Sequence, residues 1–291
     1  MDSLALGLVA AIAAFSLFRL LRRPAAPPRP QHAGSPVAAP APQAPPSTAV
    51  AEPVDVEMVR ARLAGHRRST FLPITIAGDA TSAVSKFSGV PYLPPGEAWP
   101  ACGNCGRPMQ LFVQLAAAEL PAEARERIGA GHLLQFFYCT REEPHCESEC
   151  DAYAPHARST LLRLVRADGA IPQPSALAAE MFPPRRITGW TETDDYPNFE
   201  EADDLGVSLS DAESDVLCEA YPRDGEKLLG WPYWVQGVEY PDCRVCGTRM
   251  ELLFQLDSER NLPYMFGDVG VGHVTQCPEH RAELAFGWAC H

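Results

Sequence analysis

Positive charge is scarce in this chain. Lysine and arginine total 24 against 37 acidic residues, a formal net charge of −13, and from Val54 onward the balance is 20 against 35. A grip on nucleic acid needs a basic face, so no nucleic-acid partner is expected. Also missing are a nucleophile elbow, a phosphate-binding glycine loop and paired metal-ligating carboxylates on a helix. Their absence removes the usual signatures of serine hydrolases, nucleotide-binding enzymes and carboxylate-bridged metal enzymes. Helical patterning is confined to residues 56–66, entered from Pro53 and Asp55, and to residues 121–128 and 177–181. What the chain does have is apolar content of 46 % and ten cysteines in 291 residues. A core is therefore affordable, and the cysteine positions become the main source of information.

The N-terminus has the pattern of a membrane signal. Residues 4–21 are apolar or small apart from Ser16 and a single charge, Arg19, and Arg22 and Arg23 follow. Eighteen residues at ~1.5 Å each span about 27 Å, close to a bilayer core. Asp2 precedes the run and the arginines come after it, the reverse of a secretory leader; a cleaved segment ending at Ala26 is the alternative. Positive charge stays inside, so the expectation is a single-pass anchor over residues 1–23 in the inner membrane, with the rest facing the cytoplasm. Residues 24–53 are rich in proline and alanine and read as an extended linker. Residues 54–291 form the folded part.

That part reads as one pattern written twice. At a fixed offset of 141, Lys86, Gly89, Pro91, Pro100, Cys102, Cys105, Gly106, Met109, Gln114 and Leu115 meet Lys227, Gly230, Pro232, Pro241, Cys243, Cys246, Gly247, Met250, Gln255 and Leu256. The same offset carries His132 onto His273 and Cys139 onto His280. The expectation is an internal duplication, with copies at about residues 71–170 and 220–291 and a pseudo-twofold arrangement. Each copy has a Lys-x-x-Gly-x-Pro turn, a Cys-x-x-Cys-Gly knuckle and an apolar strand (109–115 or 250–256). A second strand follows (132–138 or 273–276), and residues 159–166 read as a strand closing the first copy. The expected class is α+β, largely antiparallel sheet.

Cysteines two residues apart on one turn present both sulfurs to one ion, and the glycine after them frees the turn. Cys243, Cys246, Cys277 and His280 make a Cys3His set; Cys102, Cys105 and Cys139 take their fourth ligand from Cys146 or Cys150. Both sets are closed, so one or two structural Zn2+ ions are expected, with no open position for a catalytic water. Disulfides are disfavoured in the cytoplasm. Trp231, Tyr233 and Trp234 form an aromatic cluster beside the second turn that either stacks on a partner or enters the core. Gln114 and Gln255, inside apolar strands, either bond neighbouring backbone or receive a guest strand. Residues 192–204 carry seven acids and read as a solvated loop.

The strings KFSGVPYLPPGEAWPAC, LLGWPYW, LFQLDS, MFGDVGVGHVTQCPEH and AFGWAC resemble the YwqG-like family of bacterial proteins, a domain of unknown function, over roughly Phe71 to the end. More distantly, Gly-x-Pro, Cys-x-x-Cys-Gly and the Leu/Gln strand look like the eukaryotic programmed-cell-death-protein-two family, dedicated chaperones of a ribosomal protein. That resemblance implies a duplicated sheet scaffold holding a client peptide, without catalysis. The leading expectation is a membrane-tethered, zinc-binding, chaperone-like module with a protein or peptide client, contacted through Trp231, Tyr233, Trp234, Gln114 and Gln255. A toxin-immunity or stress-response binding protein is the second reading, which only genetic context would favour. A metal-assisted hydrolase is the third, and it requires an open metal position.

Overall fold

The computed structural model describes residues 54–78, 83–167 and 181–291. The expected anchor, the linker and most of the expected helix at 177–181 lie outside the described residues. The inner-membrane, single-pass placement is corrected: among the described residues no helix is long and apolar enough to cross a membrane. The longest, ten residues, would span only ~15 Å.

Ten strands form one antiparallel sheet among the described residues. They are β1 (Arg68–Ala77), β2 (Lys86–Phe87), β3 (Gln110–Ala116), β4 (His132–Tyr138), β5 (Thr160–Arg166), β6 (Arg185–Asp195), β7 (Lys227–Leu229), β8 (Glu251–Asp257), β9 (Val271–Gln276) and β10 (Leu284–Ala289). The order across the sheet is β10-β9-β8-β7-β1-β6-β2-β3-β4-β5. The two long strands β1 and β6 pair at the centre, Arg68 opposite Asp195. β1 precedes the first four-strand unit in sequence yet pairs with β7 of the second, whereas β6 pairs with β2 of the first. The central pair therefore fastens each unit to the other. The outermost strands β5 and β10 approach one another, so the sheet is nearly closed and barrel-like. Its interior is filled by aromatic rings drawn from both units. Phe112 stacks on Tyr138 at 5.0 Å, and Phe136 meets Phe286 at 4.2 Å.

Among the described residues five α-helices complete the α+β fold: α1 (Val56–Arg62), α2 (Ala122–Ile128), α3 (Cys146–Glu149), α4 (Phe199–Asp204) and α5 (Asp211–Ala220). Four of these starts carry a side-chain cap. Asp55 caps α1, and Ser210 with Glu213 makes a capping box on α5. α1, α4 and α5 bury Val59, Leu63, Ala202 and Leu217 with Tyr196 and Tyr221 in a separate small core.

The two units share register as well as order. β3 bulges between Leu111 and Val113, and β8 between Leu252 and Phe254. The single offset of 141 does not survive the whole length, however. Leu115 pairs with Leu134, 19 residues on, whereas Leu256 pairs with Gly272, 16 residues on. The connection after β8 is thus three residues shorter, and beyond it corresponding register positions lie 138 residues apart. Gln135, not His132, stands where His273 does, and Cys139 stands where Cys277 does rather than His280.

The chain has only two lysines, Lys86 and Lys227, and both are fully buried. They sit opposite Gln114 and Gln255 on the neighbouring strands. Lys86 donates to the Val90 carbonyl. Lys227 donates to Asp195 Oδ2 at 2.8 Å, between side chains with no exposure. Asp195 also accepts the backbone N–H groups of Arg223 (2.8 Å) and Trp231 (2.9 Å). The expected acidic loop at 192–204 is therefore the end of β6 and helix α4, and two of its acids, Asp195 and Glu201, are buried. Gly230, at φ +81°, lies against this pair: a Cβ there would meet Asp195 Oδ2 at 2.5 Å and Thr70 Cβ at 2.7 Å. Removing one partner of a buried, hydrogen-bonded ion pair costs about 3–5 kcal/mol. Lys227→Met should therefore lower unfolding stability by about that much in a denaturant titration; a change within about 0.5 kcal/mol, typical of surface substitutions, would contradict the central role of the pair.

Candidate metal centres

Each knuckle is a turn closed by its own backbone. In the first, Cys102 N–H donates to Arg107 O at 2.8 Å and Gly106 N–H to Cys102 O at 2.9 Å. In the second, Cys243 N–H donates to Thr248 O at 2.9 Å and Gly247 N–H to Cys243 O at 2.8 Å. Gly106 and Gly247 take φ +67° and +69°, the left-handed region glycine occupies without strain. The amides of Asn104 and Val245 each point at the first sulfur of their knuckle, at 3.4 Å. Single bridges, Ala101 with Pro108 and Asp242 with Arg249, lead out of the turns into β3 and β8.

The third donors, Cys139 and Cys277, stand one residue past the ends of β4 and β9. The fourth are Cys146, at the start of α3, and His280. In both groups, Cys102/Cys105/Cys139/Cys146 and Cys243/Cys246/Cys277/His280, one donor atom of each residue lies within 4.8 Å of all the others, so each can hold a metal ion. Sulfur separations are 3.9 Å for Cys102–Cys146, 3.8 Å for Cys105–Cys139 and 3.7 Å for Cys246–Cys277. His280 presents Nδ1 at 3.9 Å from the Cys243 sulfur and 3.7 Å from that of Cys277. The structure thus selects Cys146. Cys150 caps the end of α3 outside the cluster, with the Arg158 side chain against its sulfur. Of the other thiols, Cys218 is exposed and Cys290 half-buried.

The environment splits the thiols of each group. Burial pushes Cys139, Cys146 and Cys277 up. Burial also acts against Cys105, but the Arg107 amide and the neighbouring thiols outweigh it and hold that thiol below its ordinary value. Bonds from the Thr248 hydroxyl and amide bring Cys246 down to about 6. Several thiolates packed together in a buried corner are unfavourable unless a cation offsets their charge, which is the chemistry of a metal site.

Residues with no sequence signal position these donors. Glu147, next to Cys146, accepts from Tyr138 at 2.8 Å and from Tyr264 of the second unit. Arg127, on α2 of the first unit, donates to Gln276 Oε1 at 3.2 Å and Leu252 O at 3.0 Å, beside Cys277. Each unit therefore braces the other's cluster. The two expected glutamines fasten turns. Gln114 accepts the Tyr92 amide at 2.9 Å and donates to Val84 O; Gln255 accepts the Tyr233 amide at 2.8 Å and donates to Gly225 O. Of the two readings open to them, neighbouring backbone is the one realised. Trp231 is 4 % exposed, donates to His66 O and lies under the Arg68 guanidinium, so it is a core residue. Tyr233 is half-buried, its amide held by Gln255. Trp234, also half-buried, lies 4.6 Å from His273. Burial, then the charge of Lys227, holds His273 down to about 3, against a hydrogen bond to Tyr233 O.

Two outcomes follow. Elemental analysis under reducing conditions should give two metal ions per chain for the parent protein and for Cys150→Ser, and one for Cys146→Ser; equal loss in both variants would contradict the cluster assignment. Separately, His273 binds fewer protons folded than unfolded between pH 6.5 and about 3. Unfolding stability should therefore fall on acidification below 6.5, by up to about 1.4 kcal/mol per pH unit from this group. His273→Gln, which installs the residue that Gln135 supplies in the first unit, should flatten that limb; an unchanged slope would rule His273 out.

No curated protein matches the chain. Residues 85–288, which contain both clusters and strands β2 to β10, match the model of the family described as a domain of unknown function, DUF1963. The chain belongs to that family.

Proposed function

We propose that this protein is a zinc-stapled, internally duplicated binding module that takes an extended segment of a basic client protein into the seam between β5 and β10. The carrying observation is the seam itself. The two outermost strands face each other, and among the described residues no strand pairing joins them. Cys139 N–H donates to Ser159 O and Ala167 N–H to Gly131 O, so the odd-numbered residues of β5 face β4 and the even ones, Leu162 and Leu164, face outward. Cys277 N–H donates to Glu283 O and Trp288 N–H to Tyr153 O, so Leu284 and Phe286 present the outward groups of β10. Residues 160–162 and 284–286 line a groove of about 270 Å³. Unpaired strand edges are sites where an extended peptide adds as a further strand.

Zinc is supported by size. A tetrahedron with ~2.3 Å zinc–sulfur bonds has edges of about 3.8 Å, and a sulfur–nitrogen edge is slightly shorter. The sulfur–sulfur separations of 3.7–3.9 Å fit the first, and His280 Nδ1, 3.9 and 3.7 Å from two sulfurs, stands a few tenths of an ångström outside the second. Four protein donors per ion make the sites structural, leaving no position for a catalytic water. Duplication is supported by the matching knuckle geometry and by the offset that changes by three residues in one connection. The acidic balance of residues 54–291, 20 basic against 35 acidic, favours a basic client. The likeness to the YwqG-like and programmed-cell-death-protein-two families points the same way.

A peptide-display selection against the full chain should enrich extended sequences that alternate apolar and basic residues. Bound peptide should slow amide hydrogen exchange at Leu162, Leu164, Leu284 and Phe286. Leu162→Pro removes one outward N–H while sparing the ladder to β4, and should abolish peptide binding with metal content unchanged. Peptides that bind without protecting those amides would contradict the seam as the site.

A further inference from the structure

A second cavity adjoins the groove. Residues 287–289, the next three along β10, and residues 153–155, next to the groove's other wall, line a separate cavity of about 360 Å³. The bond from Trp288 N–H to Tyr153 O bridges the seam between the two, so a segment held in the groove reaches this cavity with a side chain rather than with its backbone. Four aromatic side chains line this cavity: Tyr153, Trp234, Tyr240 and Trp288. Trp234 meets Tyr240 nearly edge-on at 4.9 Å, and Tyr153 meets Trp288 edge-on at 6.2 Å. Glu239, exposed, is the only acid among the lining residues, and no lysine or arginine is among them. His273 forms part of the wall and stays neutral at physiological pH, because burial and the nearby Lys227 oppose its protonation.

This chain repeatedly places an arginine over a ring, and one of those rings is Tyr240 of this cavity. Arg68 lies 3.4 Å from the centre of Trp231, Arg249 3.8 Å from Tyr240 and Arg223 4.6 Å from Tyr221. Among the described residues, none of the chain's own cations sits over Tyr153, Trp234 or Trp288. Tyr153 is 52 % exposed, a large ring left open at the cavity mouth. Aromatic faces attract a guanidinium through the ring quadrupole, most strongly where water is excluded, and a carboxylate at the rim adds charge selection.

We infer that this cavity is an arginine subsite, which receives one guanidinium side chain of the segment held in the seam, between Trp234 and Trp288 with Glu239 at its edge. The inference rests on the proposed function for its peptide context, but the subsite can be tested without any peptide. The probes are N-acetyl-arginine amide and N-acetyl-citrulline amide, which have nearly the same shape and differ in charge. Followed by the indole N–H resonances of Trp234 and Trp288 in the full chain, arginine amide should shift both saturably. Citrulline amide should bind on the order of five- to tenfold more weakly, the ratio a desolvated cation–π contact provides. Glu239→Gln and Tyr153→Ala, both at exposed positions, should each weaken arginine amide and narrow the gap. Equal binding of the two probes, or no shift with either, would overturn the subsite. Leu162→Pro separates the two ideas: it should leave arginine amide binding unchanged. If display-selected peptides protect the seam amides but tolerate citrulline in place of every arginine, the subsite fails and the seam stands. If arginine amide binds selectively but no peptide protects the seam, the seam fails.

Discussion

Each four-donor cluster stands at the place where strand pairing ends. The knuckles lie just before β3 and β8, and Cys139 and Cys277 lie one residue beyond β4 and β9. A four-donor cluster there joins the entry of one strand to the exit of its neighbour, where hydrogen bonds can no longer hold the chain. Much else depends on that closure. The bulges at Phe112 and Leu253 lie a few residues inside it, and α3 is held by a cluster ligand at its first residue. The same corners bury thiols whose charged forms are costly unless a cation is shared among them.

The two units are not merely adjacent. β1 and β6 each leave their sequence neighbours and pair into the other unit, and the only two lysines of the chain are buried where those crossings are made. Asp195, at the end of β6, takes Lys227 of the second unit together with two backbone amides. Arg127 and the Glu147–Tyr264 contact add braces that reach each cluster from the opposite unit. Strength is concentrated at the centre and corners of the sheet. The β5–β10 seam, without strand pairing among the described residues, is where the proposed client adds.

Legibility in the sequence followed the range of the interactions. The knuckles were readable because two cysteines and a glycine within five residues define a turn by themselves. Both third donors and His280 were readable because they follow apolar strands. The choice between Cys146 and Cys150 was not, since both lie on one short stretch and only the fold turns Cys146 inward. The offset of 141 misled past β8, because glycines cluster where both connections end, Gly129 and Gly131 in one and Gly267, Gly270 and Gly272 in the other, and match at more than one spacing. His132 and His273 share the spacing in sequence, but it is Gln135 that stands opposite Gln114 as His273 stands opposite Gln255. The crossing of β1 and β6 has no local pattern at all. Asp195 looked like one acid in a solvated run because its partner lies 32 residues away. The cavity between Trp234 and Trp288 joins residues more than fifty positions apart, and only half of that pair stood out in the sequence.

The central claim is that both clusters are closed metal sites with protein donors alone. X-ray absorption at the zinc edge, on zinc-loaded full-length protein, tests it most directly. Seven sulfurs and one nitrogen shared between two ions predict a shell dominated by sulfur at ~2.3 Å, with a minor nitrogen contribution at ~2.0–2.1 Å. A substantial oxygen shell, or fewer than three sulfurs per ion, would show an open or misassigned site and contradict the account.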